Sequence, residues 1–151
     1  MSSKDIFKAE LLNIVEFKLV KGNIDAPEMF DEQLVKGHEI ENSLTLGFNI
    51  EKELAKADFA IEITTQSGGK NKEEAKGYYH FVYIYSIDRL SELVKIEENG
   101  KIEVDSELGN ALSSVTYSTS RGVLLTRLQG TPLQNFILPI VNPKKLLNKQ
   151  V

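Results

Sequence analysis

The sequence predicts an α+β fold, a four-stranded antiparallel sheet packed against one long helix. Four segments have strand periodicity, and turns or loops rather than crossover helices join them, which makes the sheet antiparallel. One stretch, Asp105 to Gln129, is long enough for a helix and well bounded, with Asp105 or Ser106 as N-cap and Gly130 just past its end. At 151 residues, with 41% apolar and 26% charged, the chain suits one globular domain, 1–151, with one sizeable core.

The first strand covers about 12–25, with Val15, Phe17 and Leu19 alternating against Ile14, Glu16, Lys18 and Val20, and Ala26-Pro27 ends it. The loop Glu28 to His38 carries Met29, Phe30, Leu34 and Val35, and a loop that apolar lies against something. The second strand, about 38–53, has the clearest alternation: Leu44, Leu46, Phe48 and Ile50 against Ser43, Thr45, Gly47 and Asn49. A turn within Glu51 to Ala57 leads to the third, about 58–67, where Phe59, Ile61 and Ile63 oppose Ala60, Glu62 and Thr64. The polar turn Ser67 to Lys72 precedes the fourth, about 76–87. That strand is apolar or aromatic on both faces, Tyr79, Phe81, Tyr83, Tyr85 and Ile87 against Tyr78, His80, Val82 and Ile84. Asp88 to Val94 suits a short helix, and the Asn99-Gly100 turn suits a small extra hairpin between Lys95-Ile96 and Ile102–Val104.

Turned by about 100° per residue, the long helix, about 105–129, has Leu108, Ala111, Leu112 and Val115 on one side, continued by Thr119, Gly122 and Thr126. Tyr117, Leu124 and Leu128 fall nearly opposite. A helix on a sheet needs one apolar stripe, so the second meets either another part of this chain or another copy of it. Between them the small, polar run from Ser118 to Gly122 lets another backbone approach.

The net charge of -4, interspersed, argues against nucleic acid. With no cysteine, disulfides, thiolate zinc sites and cysteine nucleophiles are excluded. Met1 to Glu10 has acids where a signal peptide needs an apolar run, and no window reaches membrane-spanning length, so no membrane insertion and a cytoplasmic location are expected. His38 and His80 lack triad or metal spacing, Gly68-Gly69-Lys70 lacks the Walker spacing, and carboxylates such as Glu62 are scattered. No catalytic residue, metal or cofactor site is predicted, and hence no enzyme. What is plentiful is apolar material in irregular settings. The first loop has it, and so does Pro132 to Pro143, PLQNFILPIVNP, where three prolines forbid a regular backbone. Such patches mark a partner or ligand site.

The order of elements and the C-terminal third resemble the SecB family of export chaperones. Leu125-Thr126-Arg127-Leu128-Gln129-Gly130-Thr131-Pro132, followed by Leu138-Pro139-Ile140-Val141-Asn142-Pro143, is similar to that family's helix end, Gly-Thr turn and later Pro-Val-Asn before a final helix. Ile24-Asp25-Ala26-Pro27 resembles its aromatic-Glu-Ala-Pro. The resemblance implies a SecB-like fold with a short C-terminal helix, about 143–149. It implies an ATP-independent holdase for unfolded polypeptides, including preproteins in export and translocation. The family's groove maps onto Met29, Phe30, Leu34, Val35, Leu133, Phe136, Ile137, Leu138, Leu146 and Leu147. Its tetramers, dimers of dimers with the long helix between subunits, imply an interface at Tyr117, Ser118, Arg121, Gly122, Leu124 and Leu128.

Members that hand clients to the SecA motor use acids on the flat sheet face and a tail. Asp25 matches one such translocase contact. Lys18 and Lys21 on its strand, Tyr83 in place of an acid, and a chain stopping at Lys149-Gln150-Val151 count against motor docking. The Glu98 to Lys101 turn looks like an insertion. Two other readings keep the fold: a dedicated chaperone of an antitoxin or other single partner, and a binder of a small apolar ligand or structural partner whose groove its own C-terminal segment closes.

Overall fold

The computed structural model describes residues 7–69 and 73–148; Met1 to Ile6, Lys70 to Lys72 of the third turn, and Lys149 to Val151 lie outside the described residues. The architecture is α+β, a four-stranded antiparallel sheet against one long helix and a short C-terminal one. Strands β1 (Leu12–Asp25), β2 (Val35–Asn49), β3 (Leu54–Ser67) and β4 (Lys76–Ile87) form the sheet in the order β1-β4-β3-β2. A four-residue helix α1 (Leu90–Leu93) and the hairpin β5 (Val94–Ile96) and β6 (Ile102–Val104) lead to α2 (Ser106–Arg127), and α3 (Pro143–Asn148) follows. Because β1 and β2 hold opposite edges, their connection crosses the end of the sheet, about 14 Å at three strand spacings. Of the apolar residues in that connection, Phe30 packs against the core.

The inward rows are Phe59, Ile61 and Ile63 of β3 and Tyr79, Phe81, Tyr83, Tyr85 and Ile87 of β4, all buried. Tyr83, expected on the flat outer face, therefore points inward. β2 starts at Val35, within the expected loop, and the turn is shorter than expected, Ile50 to Glu53. Glu53 accounts for this: it takes a left-handed φ of 55°, its carbonyl accepts from the Ile87 N–H at 2.9 Å, and its carboxylate accepts from the Arg89 N–H at 2.7 Å. The tie holds the turn against the end of β4. β1 departs from strict alternation, since its register against β4 shifts between Ile14 and Glu16 and again between Leu19 and Lys21. The extra residues, Val15 and Val20, are bulged and exposed, so Ile14, Phe17 and Leu19 share the inward side.

The helix corrects the expectation of two opposed apolar faces. It has one broad buried face whose middle is small and mostly polar, Gly109, Ser113, Thr116 and Ser120, with Leu108 and Leu112 on one flank and Tyr117 and Leu124 on the other. The reason lies in β4. The Tyr83 hydroxyl shares a 2.7 Å hydrogen bond with Ser120 Oγ, and the Tyr85 hydroxyl a 2.6 Å bond with Thr116 Oγ1. Short hydroxyl side chains let the helix lie close to the sheet while meeting the tyrosine tips, and Ser113 Oγ donates back to the Gly109 carbonyl. Burial pushes the Tyr83 pKa up to about 12. Asp105 caps the start by accepting from the Leu108 N–H at 3.1 Å, and Gly130, at φ 77°, takes the left-handed turn past the end.

Candidate functional site

The segment after α2 forms a strap across the inward face of the sheet. Thr131 starts it: its hydroxyl donates to the Leu128 carbonyl at 2.7 Å and accepts from the Leu133 N–H at 3.1 Å. Turns then carry the chain forward, Gln134 N–H to the Thr131 carbonyl and Phe136 N–H to the Leu133 carbonyl. Two sets of polar anchors hold the strap. Arg121 Nε donates to the Leu138 carbonyl at 2.9 Å, while the Tyr117 hydroxyl, at 2.6 Å, and Arg121 Nη2, at 3.3 Å, donate to the Pro139 carbonyl. At the other end Glu32 of the crossing loop accepts from the Gln134 and Asn135 side-chain amides at 2.8 and 3.0 Å.

These anchors sort the expected groove residues into two sets. Leu133, Phe136 and Leu138 turn inward and are buried in the core of their own chain, as is Leu146 of α3. Leu133 occupies the space that a Cβ on Gly77 would need, which is why β4 carries glycine there. Phe136 meets His38 edge-on at 5.3 Å. Met29 is 76% exposed, Leu34 44% and Ile137 63%, while Phe30, Val35 and Leu147 are half-buried. Ile140, to which no functional role was assigned from the sequence, is the most exposed large apolar residue among the described residues, at 88%. Its position between Pro139 and Asn142 in an irregular segment was the available signal.

Of the expected interface residues, Tyr117, Leu124 and Leu128 are buried within the chain, the Tyr117 ring lying 5.6 Å from the Phe59 ring and carrying the Arg121 guanidinium 5.3 Å over its centroid. Ser118 and Gly122 remain exposed, and a Cβ at Gly122 would meet nothing within 4 Å. Asp25 is exposed at the end of β1, opposite Lys76.

Beside the strap, Tyr117, Val141, Lys145 and Leu146 face Ile40, Glu41 and Asn42 of β2 across a cavity of about 370 Å³. No sequence pattern pointed to it, because it is made by elements that meet only in three dimensions. On the outer face His80 Nε2 lies 2.9 Å from Asp58 Oδ1, with the Lys56 ammonium 3.8 Å from Asp58 Oδ2. Among the described residues no group of three or more His, Cys, Asp or Glu side chains is placed to hold a metal ion, and no helix is long and apolar enough to cross a membrane.

Burial lowers the His38 pKa below its ordinary 6.5. A histidine whose folded pKa is depressed binds its proton more readily when unfolded, so the stability it supports is complete above about pH 6.5 and is lost as pH falls toward the folded value. Urea unfolding measured between pH 7.5 and 5 should show this decline in the native chain and a smaller one in His38→Phe.

No family model matches the chain, and no curated protein matches its sequence. Among solved structures it is similar to a SecB-like chaperone of Mycobacterium tuberculosis in complex with a ChAD peptide from an antitoxin. The TM-score is 0.61 and the identity 11%, over 88% of this chain and 92% of that one. A protein of unknown function from Streptococcus agalactiae also aligns, at 11% identity over 85% of this chain and 97% of that one, but its TM-score of 0.25 carries no argument. The shared sheet, long helix and short final helix place this chain in the SecB-like fold.

Proposed function

We propose that the chain is an ATP-independent holdase that binds nonnative polypeptides at the apolar margin of its C-terminal strap. The observation that carries this reading is the exposed set Met29, Leu34, Ile137 and Ile140, carried by the crossing loop and strap of a SecB-like fold. Burial of such surface is non-directional and worth roughly 25 cal/mol per Å², so many unfolded sequences satisfy it. The inward set, Leu133, Phe136, Leu138 and Leu146, joins the groove when a client displaces the strap from the Arg121 and Glu32 anchors.

Two features support action as a homo-oligomer, a dimer of dimers. Ile14 and Phe17 stand exposed on the inward side of the edge strand β1, and the outer face of α2 at Ser118, Gly122 and Leu125 is uncharged and exposed. A second reading, a dedicated chaperone of one partner, has support from the structural neighbour, which holds an antitoxin peptide. Delivery to a SecA-type motor rests on Asp25 alone.

At stoichiometric excess the chain should suppress light scattering from a thermally unfolding client enzyme; undiminished aggregation would overturn the holdase reading. Purification from its native cell with mass measurement separates the variants. Many copurifying polypeptides support a general holdase, one tight partner supports the dedicated chaperone, and a strictly monomeric mass removes the oligomer.

A further inference from the structure

The hairpin of β5 and β6 carries a pattern that neither the core nor the strap uses. Its two arms have the same three residues in the same order, Lys95-Ile96-Glu97 on one side and Lys101-Ile102-Glu103 on the other. Val94 faces Val104, Lys95 faces Glu103 and Ile96 faces Ile102. Side chains alternate along a strand, so the two isoleucines share the face of Val94 and Val104 while the charged residues share the other. Val94 is buried and Val104 packs half-buried on the core, but Ile96 and Ile102 project past that contact, 63% and 47% exposed. Two adjacent exposed isoleucines on so short a ribbon are an unpartnered apolar face.

The main-chain bonds decide which edge of the ribbon is open. Glu97 N–H donates to the Lys101 carbonyl and Asp105 N–H to the Leu93 carbonyl, both at 2.8 Å. The hydrogen-bonded pairs are therefore Glu97 with Lys101, Lys95 with Glu103 and Leu93 with Asp105, and the residues between them, Ile96 and Ile102, turn their N–H and C=O groups outward. On the β5 edge that outward row is already engaged at Val94, whose N–H donates to the Leu90 carbonyl of α1. On the β6 edge Ile102 stands between Lys101 and Glu103, both exposed. That edge has the chemistry of a strand able to take a neighbour.

We infer that β6 pairs antiparallel with β6 of a second copy of this chain, about a two-fold axis at Ile102, into one sheet of both hairpins. The order of charges argues for this occupant. With Ile102 opposite its own equivalent, Lys101 lies opposite Glu103 of the second copy and Glu103 opposite Lys101 of the second copy. One row across the four strands then runs Lys95, Glu103, Lys101, Glu97 and the next runs Glu97, Lys101, Glu103, Lys95, alternating in sign at every step. Sliding the alignment by two residues in either direction sets Lys101 against Lys101 or Glu103 against Glu103, so the sequence selects one register. On the opposite face Ile96 and Ile102 of both copies form one continuous apolar row. Strands this short bury little area, so pairing is concentration-dependent rather than permanent. The contact goes beyond the holdase reading and uses neither the strap nor the exposed faces of β1 and α2.

The test uses the full chain. In sedimentation equilibrium over a concentration series, Ile102→Pro should raise the concentration needed for association through this contact by about tenfold or more, because proline removes the N–H that each copy donates at the axis. The hairpin's own ladder does not use that N–H, so the fold is spared. Ile96→Pro makes the same change on the other edge and should shift that concentration by less than about threefold. Equal behaviour of the two variants, or equal masses for Ile102→Pro and the native chain at every concentration, would overturn the pairing. The lack of cysteine in the native chain allows a second readout. In Ile102→Cys the two introduced thiols meet at the axis, in a pair whose Cα atoms stand about 5.5 Å apart and within disulfide reach. Air oxidation should join this variant into a covalent dimer about tenfold faster than Ile96→Cys. Ile96 is the more exposed position, so random collision would give the reverse order. Equal or faster coupling in Ile96→Cys would overturn the proposed axis and leave client binding, which involves other surfaces, untouched.

Discussion

Phe136→Ala should lower the unfolding free energy by about 3–5 kcal/mol, the usual cost of emptying a buried aromatic site. Phe136 is 4% exposed, lies edge-on to His38, and sits between Leu133 and Leu138, both fully or almost fully buried. Urea unfolding would register the change as a lower midpoint. The neighbouring residue provides the contrast. Ile137 is 63% exposed, so Ile137→Ala should shift stability by less than about 0.5 kcal/mol while weakening client binding. If the strap instead stood as an open groove wall, Phe136→Ala would behave like Ile137→Ala. The pair therefore measures how far the C-terminal segment is folded onto its own core in the resting protein.

Ser120→Leu should cost about 2–6 kcal/mol, because two penalties fall on one position. The site has no exposed surface, so the larger side chain forces α2 away from β4, and the Tyr83 hydroxyl loses its 2.7 Å partner in a place where water does not reach it. Ser118→Leu, two residues earlier on the exposed side of the same helix, should stay within about 0.5 kcal/mol of the native chain. Thermal or urea unfolding of both variants reads the difference. Similar stability in the two would mean that the hydroxyl row does not seat the helix. A change of oligomeric mass in Ser118→Leu with unchanged stability would support the proposed role of the outer helix face.

The two variants also mark where the sequence stopped being readable. Alternation at Leu44, Leu46 and Phe48, or at Tyr79, Phe81, Tyr83 and Tyr85, reports a strand directly, since each side chain's face follows from its neighbours two residues away. Serines and threonines carry no such sign. Ser113, Thr116 and Ser120 mark no face by themselves, and their place in the buried face follows from the tyrosine hydroxyls, 31 and 37 residues earlier in the chain, that meet Thr116 and Ser120. The bulges at Val15 and Val20 were equally silent, because a bulge is a property of the pairing between β1 and β4.

The strap shows both kinds of information in one segment. Its irregular path was legible from Pro132, Pro139 and Pro143, whose rings restrict the backbone wherever they occur. Its apolar content, and that of the crossing loop, marked the region where the candidate site lies. Which side chains face in was not legible. Leu133 enters the core because Gly77, far away in sequence, leaves a Cβ-sized space for it, and Leu138 is held by an arginine one helix earlier.

Periodicity, turn residues and proline act within a few residues, so four strands, a long helix and an irregular apolar C-terminal segment were present in the order of the amino acids alone. Facing and closure depend on partners brought together across the chain. For that reason the single buried face of α2, the inward set of the strap, and the cavity between the strap, α3 and β2 emerged only once the sheet, the helix and the strap were packed together.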